Sequence, residues 1–319
     1  MQIQLVVQGY SPKLIDTQAE FLACAKHLQK HSEFVFDTEF DDNRFRKGHH
    51  LCLVQICTEK DCYLIDTIAL SNNFNNPERL QPLWDLFHDP KIAKVGFECS
   101  SDLVILRSYQ CLPKNIVDVA AMMRLVGEQN FSLQRALAAR MDKHLDKSKQ
   151  LHNWYKRPLG LDVQKYAVED VIYLLPLRAI LEKELHAKNR FDWWKEELQH
   201  PKPANTPRFP PPPDPSAPVA TETEASAEAA PAEETTEATA FVSRVSRRIS
   251  DARKEKLQAI KKHIGETQDL AIASLCLNTT NIKLLAYGYM RWADYYLPYR
   301  LALIRLAAQD LAIDISDME

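Results

Sequence analysis

Two carboxylates stand one residue apart in an apolar run: Asp37 and Glu39, within Phe34-Val35-Phe36-Asp37-Thr38-Glu39-Phe40. The aromatic and β-branched neighbours predict a strand lying at least partly in the core. Side chains alternate across a strand, so both acids project from one face. Carboxylates side by side among phenylalanines repel each other and resist leaving water; they persist only where something cationic stands between them. No Lys or Arg lies within the strand. A divalent metal ion meets the need, and so does an ion pair with a distant Arg or a strand end that has reached solvent. On this stretch alone the readings stand level.

Two further acids sit where elements are expected to meet. Asp102 follows the strand Lys94-Val95-Gly96-Phe97 across Glu98-Cys99-Ser100-Ser101, with Ser100 expected to cap a helix running into Leu103 and Val104. That puts Asp102 in a first helical turn, where by itself it is a favourable charge at a helix N-terminus. Tyr166 and Asp170 stand four apart and share a helical face, and Ala167, Val171 and Leu174 turned inward carry Asp170 close to the core. By itself that pair is a surface hydrogen bond. Together the four acids form an oxygen-only donor set of the kind that suits magnesium or manganese rather than zinc. Two such ions about 3.5–4 Å apart clamp an in-line attack at phosphorus, and a nearby phenol can orient the attacking water. Asp66 and Asp118 also end strand-like segments and read as caps or turn residues.

The elements that must position these side chains follow in order. Residues 14–30 carry helical periodicity, with Thr17 as the expected cap. Strands are expected over 33–40, 51–58 and 62–66, with Glu59-Lys60-Asp61 turning between antiparallel neighbours. Leu80–His88 reads as a helix, Ile92–Phe97 and Ile116–Val119 as strands, and the remainder to about residue 199 as mainly helical. Strands alternating with helices indicate an α/β domain with its site at strand ends. Residues 1–200 form this domain. Residues 201–243 hold nine of the eighteen prolines by Pro218 and then six glutamates without a basic residue, which predicts a disordered linker. Residues 244–319 open with a basic run from Arg244 to Lys262 and read as a small helical domain.

Composition bounds the setting. A net charge of −3 over 319 residues gives no global attraction to nucleic acid, so such binding needs a local patch. No segment has the apolar length of a membrane helix, and Met1–Gly9 lacks the features of a signal peptide. Seven cysteines without a Cys-x-x-Cys pair argue against disulfides or a zinc ribbon, and fit buried thiols in a reducing cytoplasm.

Asp37-Thr38-Glu39, then Asp102, then Tyr166-x-x-x-Asp170 resemble the three motifs of the DEDD exonucleases in their tyrosine branch, and within it the ribonuclease D family. The likeness runs over residues 10–200. It includes Leu51–Ile56 and the stretch from Asp146-Lys147-Ser148-Lys149-Gln150 through Trp154 to Arg157-Pro158-Leu159. Phe97 stands where the family often has histidine, and Asn153 where it has aspartate. The resemblance implies a ribonuclease-H-like mixed sheet flanked by helices, two divalent ions (Mg2+ or Mn2+), and removal of nucleotides from RNA 3′ ends, such as those of transfer-RNA precursors. It implies that Asp37, Glu39 and Asp170 hold one ion, that Asp37 and Asp102 serve the other, and that Tyr166 positions the water. Lys147, Lys149, Lys156 and Arg157, with aromatics among them, are expected to track phosphates, with Trp154 structural. Ile272-Ala273-Ser274, Leu284-Leu285-Ala286 and Tyr289-Met290-Arg291-Trp292 resemble an HRDC module, a helical domain that would aid substrate capture. A DNA exonuclease of the Werner type shares the same metal site, and a catalytically silent RNA-binding protein shares the fold.

Overall fold

The computed structural model describes residues 5–42, 44–45, 47–149, 151–199, 235–286 and 296–318. The chain divides into two units, Met1–Ala204 and Asn205–Glu319. Among the described residues no helix is long and apolar enough to cross a membrane.

The first unit is built on six strands among the described residues: β1 Lys13–Ile15, β2 Glu33–Asp42, β3 His49–Cys57, β4 Cys62–Ile65, β5 Ala93–Gly96 and β6 Ile116–Asp118. They lie in the order β1-β4-β3-β2-β5-β6. The sheet is mixed. β2, β3 and β4 form an antiparallel meander, whereas β1 pairs parallel with β4, β5 with β2 and β6 with β5. Helices α1 Gln18–Leu28, α2 Thr67–Leu70, α3 Gln81–His88, α4 Ser100–Ser108, α5 Val119–Leu125, α6 Leu133–Met141, α7 Leu161–Glu169, α8 Leu174–Ala187 and α9 Phe191–Gln199 accompany it.

The alternation in β2 decides which face is apolar. Phe34 and Phe36 are fully buried and meet Phe87 of α3 edge-on, at centroid distances of 5.5 and 5.1 Å. Each ring contributes about 1.5–3 kcal/mol by leaving water. Residues of α1, α3 and α4 complete this core. A side chain at Gly96 would not fit without a shift, because its Cβ would lie 2.5 Å from Cys99 Sγ and 3.3 Å from the Phe36 ring. Helix α8 packs against β5 and is tied to β2 by Arg178, whose guanidinium donates to both Glu33 oxygens at 2.6 and 3.1 Å.

Two local expectations are corrected. Residues 13–15 form an edge strand, not the start of a helix; Lys13–Ile15 finds parallel partners in Tyr63–Ile65, which local periodicity does not register. Thr17 does cap α1, accepting from the Glu20 amide. The cap of α4 falls on Cys99, not Ser100, and brings no side-chain hydrogen bond. Glu98 lies in the left-handed region at φ +53°, which turns the chain into the helix one residue early. Asp66 and Asp118 are indeed caps, accepting from the Ala69 and Ala120 amides.

The second unit is helical. Helix α10 runs over Thr235–Thr267, so residues 235–243 of the expected linker are helical; no proline lies between Pro231 and Thr267, and the alanines and glutamate there favour a helix. Residues 201–234 lie outside the described residues. Leu257, Ile260 and Ile264 repeat at helical spacing on α10 and are buried. That helix packs with Leu270–Cys276, Thr279–Ala286 and Pro298–Asp310. Tyr296 and Tyr299 are core residues, while Tyr287, Trp292 and Tyr295 fall outside the described residues. Of the basic run, Arg253 and Lys256 are turned to their own unit, pairing with Asp317 and the Asp314 carbonyl.

Candidate active site

Strand β2 delivers the first two carboxylates where its pairing with β5 ends. The parallel register covers Glu33–Val35 against Ala93–Val95, so Asp37 and Glu39 lie just past it. On the other side Asp37 faces Gln55 and Glu39 faces Leu53, and the register with β3 slips between Glu39 and Phe40. Such a bulge re-aims the side chains beside it. The Gln55 amide donates to Glu39 at 3.4 Å.

The third carboxylate comes from the junction of two helices. Helix α7 ends at Glu169 and Asp170 is its C-cap, with backbone still in the right-handed helical region. The four-residue relation to Tyr166 therefore survives although the helix stops there. Both side chains are buried. One oxygen from each of Asp37, Glu39 and Asp170 lies within 4.8 Å of the other two. Among the described residues this is the group of three or more metal-ligating side chains brought that close. Asp102 stands just outside it. Buried in the first turn of α4, it accepts the Thr38 hydroxyl hydrogen bond.

Electrostatics follow from this packing. Burial pushes the Asp37 and Glu39 carboxyls well above the usual carboxylate range; repulsion from Asp102 and Asp170 adds for Asp37, and from Asp37 and Asp170 for Glu39. Both keep some surface on the cavity, yet protein surrounds them on nearly all sides. Burial also raises Asp102, against the opposing Thr38 hydrogen bond, and Asp170, against the Lys147 ammonium. Tyr166 is pushed up by burial and then by Asp170, so it stays a neutral hydrogen-bond donor. The donor set fits hard divalent cations: all-oxygen, clustered, and short of positive charge.

A cavity of about 380 Å³ opens onto Asp37, Glu39, Tyr166 and Asp170, lined also by Phe97, Glu98, Ser132, Gln134 and Lys147. Phe97 meets Phe131 edge-on at 6.1 Å, and Arg124 lies over Phe131 at 5.1 Å. Ser132 and Gln134 escape the sequence reading. The available signal was the Ser132 cap of α6, which accepts from the Arg135 amide and brings that helix's start to the cavity.

The four basic residues expected at nucleic acid diverge. Lys147 enters the cavity and pairs with Asp170 Oδ1 at 2.8 Å. Lys149 is half-buried against Asp162 at 2.6 Å, and Lys156 is exposed. Arg157 is a structural fork. It donates to the buried Asp66 carboxylate at 2.5 and 2.8 Å and to the carbonyls of Trp154 and Cys52 at 2.7 and 2.9 Å. Trp154 is buried, 6.2 Å from the Tyr166 ring.

Fold and site together define a class: an α/β domain whose strand end carries a carboxylate centre suited to hard divalent cations. The family can be named as well. Residues 12–186 match the 3′-5′ exonuclease family, and the chain belongs to it. Ribonuclease D of Haemophilus influenzae is 33% identical over 178 residues, 54% of this chain and 42% of that protein. Ribonuclease D of Gluconacetobacter diazotrophicus is 30% identical over 190 residues, 59% and 46% of the two chains. The chain thus spans rather under half the length of the curated relatives it matches. Among solved structures, the exonuclease domain of Aedes aegypti Nibbler superposes with a TM-score of 0.52 at 24% identity, covering 62% of this chain and 98% of that one. Escherichia coli RNase D gives 0.51 at 20% identity, covering 92% and 74%. These two likenesses show the fold.

Proposed function

We propose that this chain is a metal-dependent 3′-5′ exoribonuclease of the ribonuclease D type, releasing nucleotides by hydrolysis from RNA 3′ ends, with transfer-RNA precursors as the substrate class. The observation that carries the reading is the convergence of Asp37, Glu39 and Asp170 oxygens within 4.8 Å of one another inside the matched 3′-5′ exonuclease region. Asp37, Glu39 and Asp170 would hold one divalent ion, and Asp37 with Asp102 the second. When bound, Mg2+ or Mn2+ supplies the Lewis acidity that makes water a nucleophile at neutral pH and steadies the leaving oxygen.

The chain's own residues do the rest. Tyr166, neutral and fixed against Trp154, donates to and orients the attacking water. Thr38 holds Asp102 in one rotamer. Phe97, at the cavity wall, offers an aromatic surface beside the terminal base, and the exposed Lys156 and partly exposed Lys149 attract the phosphate backbone. The helical second unit would add binding surface in the manner of an HRDC module. Seven cysteines, all buried, suit a reducing compartment such as the cytoplasm.

The test uses 5′-labelled single-stranded RNA and DNA of matched sequence, with Mg2+, Mn2+ or EDTA, and Asp37→Ala as control. A metal-dependent ladder shortening from the 3′ end, stronger on RNA and absent in the variant, is the expected result. Preference for DNA would overturn the substrate assignment. Binding without degradation in either metal would overturn the enzyme assignment.

A further inference from the structure

Lys147 has a place that its sequence context does not explain. The run Asp146-Lys147-Ser148-Lys149 holds two lysines of opposite address. Lys149 pairs at 2.6 Å with the exposed Asp162, whereas Lys147 is turned into the cavity. Its ammonium lies 2.8 Å from Asp170 Oδ1 and 5.5 Å from the centroid of the Tyr166 ring. Cation and ring at that distance attract. The backbone is held for this purpose on both sides. The Asp146 carboxylate accepts from the Ser148 amide at 2.8 Å and from its hydroxyl at 2.9 Å, closing a turn around Lys147. Farther on, the Arg157 fork anchors the loop to Asp66.

The charge balance gives the lysine its task. Five carboxylates gather in and beside the cavity, Asp37, Glu39, Glu98 and Asp170 lining it and Asp102 just outside, and Lys147 lines the same cavity as a cation whose field acts on Asp37, Glu39 and Asp170 alike. A lysine placed only to meet an RNA phosphate would point to solvent and touch none of them. An ammonium on a carboxylate oxygen takes up part of the field that a divalent ion would otherwise feel, and adds its own repulsion to that ion.

Resting on the function proposed above, we infer that Lys147 is a positioning residue: a tethered counter-cation that fixes Asp170 beside Tyr166, holds the acid cluster together, and competes with divalent metal for it. Affinity for the ion is thereby set lower than the bare carboxylates would give.

The test is made on the full chain without RNA, comparing wild type, Lys147→Met and Lys147→Arg. Free Mn2+ is read by electron paramagnetic resonance during titration, and thermal unfolding is followed in EDTA and in saturating Mn2+. Lys147→Met is expected to bind Mn2+ on the order of tenfold more tightly, to melt lower than wild type in EDTA, and to gain more from Mn2+. Lys147→Arg, which keeps the charge, is expected to stay near the wild-type isotherm. Equal or weaker Mn2+ binding by Lys147→Met, with wild type binding normally, overturns this inference and leaves the proposed function standing. Unchanged melting in EDTA overturns it as well. A wild-type chain that binds no Mn2+ overturns both. Reduced RNA affinity in Lys147→Met with an unchanged Mn2+ isotherm reduces Lys147 to a phosphate contact and also overturns the inference.

Discussion

Asp37→Asn should make the metal-free protein more stable while ending its activity. One oxygen each of Asp37, Glu39 and Asp170 lies within 4.8 Å of the others. At an effective dielectric constant of about 20, two unit charges at that distance repel by about 3–4 kcal/mol. Burial and this mutual repulsion push the Asp37 and Glu39 carboxyls well above the usual carboxylate range. Part of that repulsion is relieved when one charge is removed, so the substitution at pH 8 should return about 1–3 kcal/mol. The sign with pH follows from linkage. A carboxyl with a raised pKa in the fold binds more protons there than in the unfolded chain. Its contribution is fully present below the unfolded value near 4 and is lost as pH rises through the folded value. The advantage of Asp37→Asn should therefore grow from about pH 4 upward. Urea unfolding of the full chain in EDTA, repeated across pH, measures it. Saturating Mn2+ should reverse the order, because an ion at 100 times its Kd stabilises the wild type by about 2.7 kcal/mol. A variant no more stable than wild type in EDTA at pH 8, or an advantage that does not shrink towards pH 4, would refute the electrostatic account of the cluster.

Other expectations are more local. Tyr166→Phe removes only the hydroxyl, so kcat on labelled RNA should fall about a hundredfold while Mn2+ affinity holds; equal loss of both would make the tyrosine a structural support. Arg157→Ala strands the buried Asp66 carboxylate and should cost about 3–5 kcal/mol in urea unfolding; a variant of normal stability with weakened RNA binding would restore Arg157 to the substrate. Lys156→Ala should lower RNA affinity evenly across sequences and reduce the slope of log affinity against log salt by about 1, which filter binding at several salt concentrations reads. All seven cysteines are buried, and burial pushes the Cys24, Cys52 and Cys111 thiols up to about 12. The native protein should thus resist a thiol-reactive dye at pH 8 and label at seven sites when unfolded; rapid native labelling would contradict the packing.

What the sequence by itself determined is what short-range geometry determines. The two-residue period of a strand puts Asp37 and Glu39 on one face whatever surrounds them, and the helical pitch does the same for Tyr166 and Asp170. Strong apolar runs announced β2, β3 and β5, and short polar residues at strand ends announced the Asp66 and Asp118 caps. The three-residue edge strand β1 was not legible, because its only reason to be extended is the partner strand β4 some fifty residues away. Nor could a basic run say which way each side chain turns. Arg157 and Lys147 belong to the same loop with the same charge, yet one forks onto Asp66, 91 residues distant, and the other reaches Asp170, 23 residues on. Tertiary packing decided both, by burying carboxylates that had to be neutralised by whichever cation the folded loop brought near.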